Sequence, residues 1–317
     1  MFNAVSVTSN KTLLAPIDEN DPEDRLIYSK FDLNGNEEII KRLPYHCDNT
    51  NQFTQNIFNI NDNNEIFGTL MVSYAVNENS TQTGIYDIVV FKLNNQGEEI
   101  WTSQNNNFNS NNLNVYPTID IDKDNNSYIA FLSDDTITID VEDRNDLVIF
   151  KLDDNGNFIW KYQTEDFNTI DNEFFPFIKY QKNHIYVNFI ITDKEYSLSD
   201  DYMDNPYILT NKIIKFNTDG ELQWIYSFDI LQNITSFYPN FDMDSFNNIY
   251  IVYVINHDDN NEPLNRNILV GIKLSQNNKI VISIIKNSLD LDAKTIITII
   301  KKYNNTINFD ILTKLLI

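Results

Sequence analysis

Cysteine, glycine and cationic side chains are all scarce in this chain, and each scarcity removes a class of protein. Cys47 is the only cysteine, so neither an intrachain disulfide nor a thiolate zinc cluster can form. With only seven glycines, no Gly-rich phosphate loop is present. Lys and Arg number 23 against 46 Asp and Glu, a formal net charge of −23, and no basic cluster is visible. Nucleic acid and anionic lipid are therefore poor partners, whereas a basic protein or a metal ion is compatible with this charge. No stretch approaches the ~18 uninterrupted apolar residues of a membrane span. Residues Met1–Asn10 lack the basic and apolar regions of a signal peptide, so a soluble cytoplasmic protein is expected. The three histidines, His46, His184 and His257, have no metal-ligand spacing, and no Ser/His/Asp set is recognisable.

What is present is material for a core and a large excess of one residue. Apolar residues make up 42% and aromatics 13%, well above the composition that keeps a chain disordered. Asparagine occurs 50 times. AT-rich codons favour Asn, Ile, Lys and Tyr, so runs such as Asn105-Asn106-Asn107 read as solvated loop.

Internal repetition decides the architecture. Lys92, Lys151 and Lys215 are each followed by Gly five positions later (Gly97, Gly156, Gly220) and by Trp nine positions later (Trp101, Trp160, Trp224). Weaker copies start at Lys30, with Gly35 and Ile39, and at Lys273, with Asn278 and Ile282. The anchor lysines are 62, 59, 64 and 58 residues apart. Each copy reads as a hairpin: a β-branched, aromatic strand, a polar turn needing positive φ, and a short second strand. Between copies lies a second hairpin, best seen in Pro117–Leu132, with Tyr128, Tyr186 and Tyr250 in corresponding places. Each unit of roughly 60 residues thus holds four antiparallel strands, A to D, which cannot bury both sheet faces alone.

These paired hairpins resemble the bacterial-type and quinoprotein-like β-propeller repeats over about residues 24–312. The resemblance implies an all-β propeller of four-stranded antiparallel blades. Because the chain starts with a C–D hairpin near Asp24 and ends with an A–B hairpin near Leu312, five blades with two-plus-two closure are expected. Residues 1–20 would then form an arm before a single domain of residues 21–317. The alternative makes Phe2–Ile17 another A–B hairpin, giving six blades with one incomplete. The composition is also similar to that of propeller-repeat proteins of AT-rich giant DNA viruses and protists, which implies a structural or virion-associated role.

The Asp120-Ile-Asp122-Lys-Asp124-Asn-Asn126 stretch alternates oxygen ligands but lacks the glycine bend and closing carboxylate of a calcium loop. It reads as a turn, and no metal or other cofactor is expected. The tryptophans, locked to repeat positions, are expected to pack between blades. The long B–C loops concentrate acid: 14 carboxylates stand against Arg144, Lys194 and Arg266. Asp134, Asp135, Asp143, Asp200, Asp201, Asp204, Asp258 and Asp259, with Tyr202 as an apolar anchor, form a candidate docking face for a basic protein. The leading expectation is a non-catalytic interaction scaffold. The alternatives are a lyase or quinoprotein-like propeller enzyme with an axial site, and a calcium-dependent adhesion module.

Overall fold

The computed structural model describes residues 12–16, 25–31, 36–46, 57–135, 145–168, 172–192, 209–230, 240–257, 266–274 and 280–285. All its regular elements are strands. The first sheet joins β1 (Thr12–Pro16), β2 (Arg25–Phe31) and β3 (Glu37–His46). The second joins β4 (Phe58–Ile60), β5 (Ile66–Val72), β6 (Asp87–Leu93) and β7 (Glu99–Ser103). The third contains β8 (Asn114–Ile121), β9 (Ser127–Ser133), β10 (Asp146–Leu152) and β11 (Phe158–Tyr162). The fourth contains β12 (Asn172–Gln181), β13 (His184–Thr192), β14 (Leu209–Asn217) and β15 (Leu222–Ile230). The fifth contains β16 (Asn240–Met243), β17 (Ile249–His257), β18 (Arg266–Leu274) and β19 (Ile280–Ile285). Four sheets are therefore consecutive four-strand antiparallel meanders, as the repeat requires. The chain divides into two compact units, residues 1–191 with 212–227 and residues 192–211 with 228–317.

One edge differs from expectation. Two-plus-two closure reserves the free edge of β2 for the segment near residue 312. In the structure β1 takes that edge, with Thr12 opposite Lys30 and Pro16 opposite Leu26. This is the pairing of the alternative reading, and it places residues 12–16 within a sheet. The physical reason is proximity, since a short connection closes at less entropic cost than one spanning the whole chain. Residues 286–317, including the expected last hairpin, lie outside the described residues.

The nine-residue spacing is a cross-strand pair. Lys92 lies opposite Trp101, Lys151 opposite Trp160 and Lys30 opposite Ile39, whereas in the last copy the register differs by one and Lys273 faces Val281. Within the first unit the two Lys–Trp pairs latch onto the next sheet. The Trp101 indole donates to the Asp154 carbonyl at 2.8 Å, and Trp160 donates to the Thr218 carbonyl at 3.3 Å. Tyr28 does the same work one sheet earlier, donating to the Asn95 carbonyl at 3.2 Å. Lys92 adds ion pairs to Asp154 at 2.7 Å and Glu65 at 3.1 Å, and Lys151 donates to the Thr218 carbonyl at 3.2 Å. Buried apolar clusters fill the space between these sheets, centred on Phe91, on Phe131 and Phe150, and on Phe189 and Phe216.

The turns explain both glycine and much of the asparagine. At six turns the first residue is Asn61, Asn94, Asp122, Asp153, Asn217 or Asp244. Its Oδ1 accepts the N–H groups two and four residues on, at 2.8–3.1 Å. The fifth residue completes an amide–carboxylate pair in either order. Asn61, Asn94 and Asn217 donate to Glu65, Glu98 and Glu221, whereas Asn126, Asn157 and Asn248 donate to Asp122, Asp153 and Asp244. Asparagine is thus selected by turn geometry as well as by codon usage. The fourth residue has positive φ and is Asn64, Asn125 or Asn247 in A–B turns but Gly97, Gly156 or Gly220 in C–D turns. The latch makes the difference. A Cβ at Gly97, Gly156 or Gly220 would lie 2.5, 2.7 or 3.0 Å from the ring of Tyr28, Trp101 or Trp160.

Gly156→Ala combines a left-handed alanine with a ring clash, and should cost about 1–3 kcal/mol in a denaturant titration. Asn247→Gly, at the same turn position with φ 61°, should change stability by less than about 1 kcal/mol. Equal losses for the two variants would show that the latch does not discriminate glycine.

Candidate active site

Strand A is the inner strand of each sheet in the first unit. β8 is hydrogen-bonded on one side only, yet Val115 and Pro117–Asp120 are buried. The opposite edges, β7 and β11, are half-exposed to exposed throughout. An edge strand without water contact must be covered by its neighbours. Hydrogen bonds identify them: the Asn59 amide on β4 donates to Asp120 Oδ1 on β8, and Tyr180 N on β12 donates to Asp120 Oδ2 at 2.7 Å. Three successive sheets therefore meet at one carboxylate.

Asn59, Asp120 and Lys179 hold the same register position, two residues before the first residue of the A–B turn. Asp120 is 5% exposed. Burial pushes its pKa above the ordinary carboxylate range. The positive charge of Lys179, the N–H groups of Tyr180 and Ile121, and the Asn59 amide pull it back only in part. Asp244, which accepts from Asn248 and from two turn N–H groups, is instead held down at about 2. A buried carboxyl group with raised proton affinity, beside a cation and a neutral amide, is the kind of group that general acid–base catalysis uses.

The expected docking residues have other tasks where they are described. Asp134 caps the start of β8 by accepting from Leu113 N at 2.8 Å. Exposed Asp135 offsets the effect of burial on Lys161, and its carbonyl accepts from Gln163 at 2.8 Å. Asp143, Asp200, Asp201, Tyr202, Asp204, Asp258 and Asp259 lie outside the described residues, as does Cys47. Buried Asp87 organises its own loop, accepting from Thr83 N at 2.9 Å, Gly84 N at 3.1 Å and Gln104 at 3.1 Å. Gln163 repeats the last bond to Asp146 at 3.1 Å.

The calcium-like stretch is a turn. Besides two turn N–H groups, Asp122 accepts from Asn126 at 2.7 Å and from the Tyr128 hydroxyl at 2.9 Å. No group of three or more His, Cys, Asp or Glu suited to a metal occurs among the described residues. His184 contacts the Lys182 carbonyl at 2.9 Å through Nδ1. Sequence reasoning included Asp120 only as part of the calcium motif. The overlooked signal was its register with Asn59 and Lys179, a polar position recurring on a strand that ought to be buried.

No family model matches this chain, and no curated protein matches it either. Solved structures do. One is a polysaccharide lyase of family PL25, an ulvan lyase bound to -[GlcA(1-4)Rha3S]-, at 12% identity and TM-score 0.54 over 88% of this chain and 69% of the other. A thermostable family-43 glycoside hydrolase matches at 13% identity and TM-score 0.46, covering 91% and 93%. An endo-arabinase from Bacteroides thetaiotaomicron VPI-5482 matches at 12% identity and TM-score 0.41, covering 90% and 94%. The fold class is an all-β propeller built of four-stranded antiparallel sheets. The expectation of a non-catalytic scaffold that is no enzyme is corrected here, because a solved structure that shares the fold is a polysaccharide lyase. The physical reason for the error is that the proton-transfer candidate is an aspartate recruited by burial, not a histidine or cysteine with recognisable spacing.

Asp120 binds its proton more tightly folded than unfolded. Its contribution to stability is therefore full below the unfolded value of ~3.9 and is lost as pH rises through the raised folded value. Relative to Asp120→Asn, the wild type should gain stability as pH falls from ~7 towards ~4. A stability difference that stays flat with pH would show that Asp120 titrates normally.

Proposed function

We propose that this chain is a propeller enzyme that cleaves a polysaccharide by elimination, with Asp120 as its proton-transfer group. The observation that carries the reading is the junction at Asp120: a carboxyl group raised by burial, where the inner strands of three sheets converge, beside Lys179 and Asn59. The fold shared with a polysaccharide lyase supports the substrate class. In the ionised form Asp120 takes the proton from the carbon next to a uronate carboxylate. The electron pair left behind forms the new carbon–carbon double bond as the glycosidic carbon–oxygen bond breaks, and the departing oxygen takes up a proton from water, to which Asp120 later returns the one it abstracted. Lys179 lowers the cost of the negative charge that develops on the uronate. The raised pKa brings proton affinity closer to what the abstraction needs.

Purified protein incubated with glucuronate-containing polysaccharides should generate the ultraviolet absorbance of an unsaturated uronate. Asp120→Asn should lower that rate by about 100-fold or more while the variant still melts cooperatively. Wild-type protein that leaves every uronate polymer intact would refute the elimination. New reducing ends from neutral polymers, without unsaturation, would replace it by hydrolysis.

A further inference from the structure

A strained residue lies at the other end of β8. Tyr116 has φ +55°. Among the described residues the five other non-glycine positions with positive φ, Asn64, Asn125, Asn247 and the Lys182–Asn183 pair, are turn residues, whereas Tyr116 lies inside β8. It also precedes Pro117, which disfavours helical backbone at that position still further. The strand accommodates it with a bulge: pairing with β9 shifts register between Val115 and Thr118. A bulky aromatic in this conformation is costly, and bulges re-aim side chains next to functional sites.

The surroundings suit a sugar ring. Tyr86, Leu113 and Tyr116 pack half-buried on one apolar cluster. The Tyr86 backbone bridges to Leu113, and Asn114 donates to the Tyr86 carbonyl through both its backbone N at 3.1 Å and its side chain at 2.9 Å. Next to Tyr86, Ile85 is 67% exposed. The neighbouring carboxylates are engaged: Asp87 by its loop, and Asp134 by Leu113 N. The patch is therefore aromatic and apolar, in a chain of net charge −23. Such a surface takes the C–H face of a sugar ring and leaves ionic groups to water.

We infer that Tyr116, with Tyr86, forms a stacking subsite for a sugar residue of the polysaccharide, on the loop side of the strand that carries Asp120. Four residues of strand separate the two positions by about 13 Å, room for a sugar unit or two between them. The inference rests on the enzyme reading above and deepens it: Tyr116 binds, and Asp120 reacts.

The test uses the whole chain with Tyr116→Asn, which tolerates positive φ, and Tyr116→Phe, which keeps the ring. The probes are glucuronate-containing oligosaccharides and the polymer from which they derive. Tyr116→Asn should melt no lower than wild type and raise KM about tenfold with kcat within about twofold, whereas Tyr116→Phe should behave as wild type. Binding measured by titration should vary little with salt. An unchanged KM for Tyr116→Asn overturns the subsite and leaves the enzyme reading standing. If wild type cleaves nothing, the titrations decide: oligosaccharide binding lost in Tyr116→Asn upholds the subsite without the reaction. Wild type that does not bind overturns it.

Discussion

The first unit depends on a ring seated over a turn. Tyr28, Trp101 and Trp160 each lie on the C–D turn of the following sheet and donate one hydrogen bond to its backbone. The contact combines apolar area with a directional bond, so it sets the spacing of two sheets and their relative register together. Everything nearby obeys it. The turn beneath each ring carries glycine, and beside Trp101 and Trp160 the opposite strand carries a lysine that bonds to the same turn. Lys92 shows the full set, with two carboxylates and the Phe67 ring, at 4.9 Å, around one buried ammonium group. A buried ion pair of this kind adds little net stability over an apolar pair, but it tolerates few other arrangements.

The hub follows from the same stacking. When sheets are held at a fixed spacing along their outer strands, their inner strands crowd, and strand A loses water on its free edge. Backbone and side-chain polar groups there must find partners in the next sheet. Asp120 meets that demand for two neighbours at once, and the burial that makes it a good rivet also raises its proton affinity. Sheet joining and raised proton affinity coincide in one residue because both arise from desolvation. At the opposite end of β8 the crowding is relieved by a bulge, which leaves Tyr116 in a backbone conformation that its side chain does not favour.

The sequence showed the strands and their order clearly, because lysine, glycine and tryptophan recur at offsets that are cross-strand distances. It also located the turns, and in retrospect it contained their chemistry: Asn with Glu four residues on, or Asp with Asn. It did not show that residues 12–16 complete the first sheet, since one short apolar segment has no repeat partner to compare with. The acidic loops drew attention because charge is visible in a sequence. Burial is not. Asp120 was grouped with Asp122 and Asp124 as a set of turn oxygens, although the three are used differently: one joins sheets, one closes a turn, and one is exposed beside Lys123.

What the sequence determined by itself is periodic: four strands per unit, hairpins joined by Asx turns, and a tryptophan at a fixed offset from the turn glycine in three copies. Periodicity suffices there because each device spans a fixed number of residues and is satisfied locally or by the next copy. What only the tertiary structure decided is which polar residues lose their water. Asn59, Asp120 and Lys179 are some 60 residues apart in the chain, and the proton affinity of Asp120 is set only when three sheets bring them to one edge.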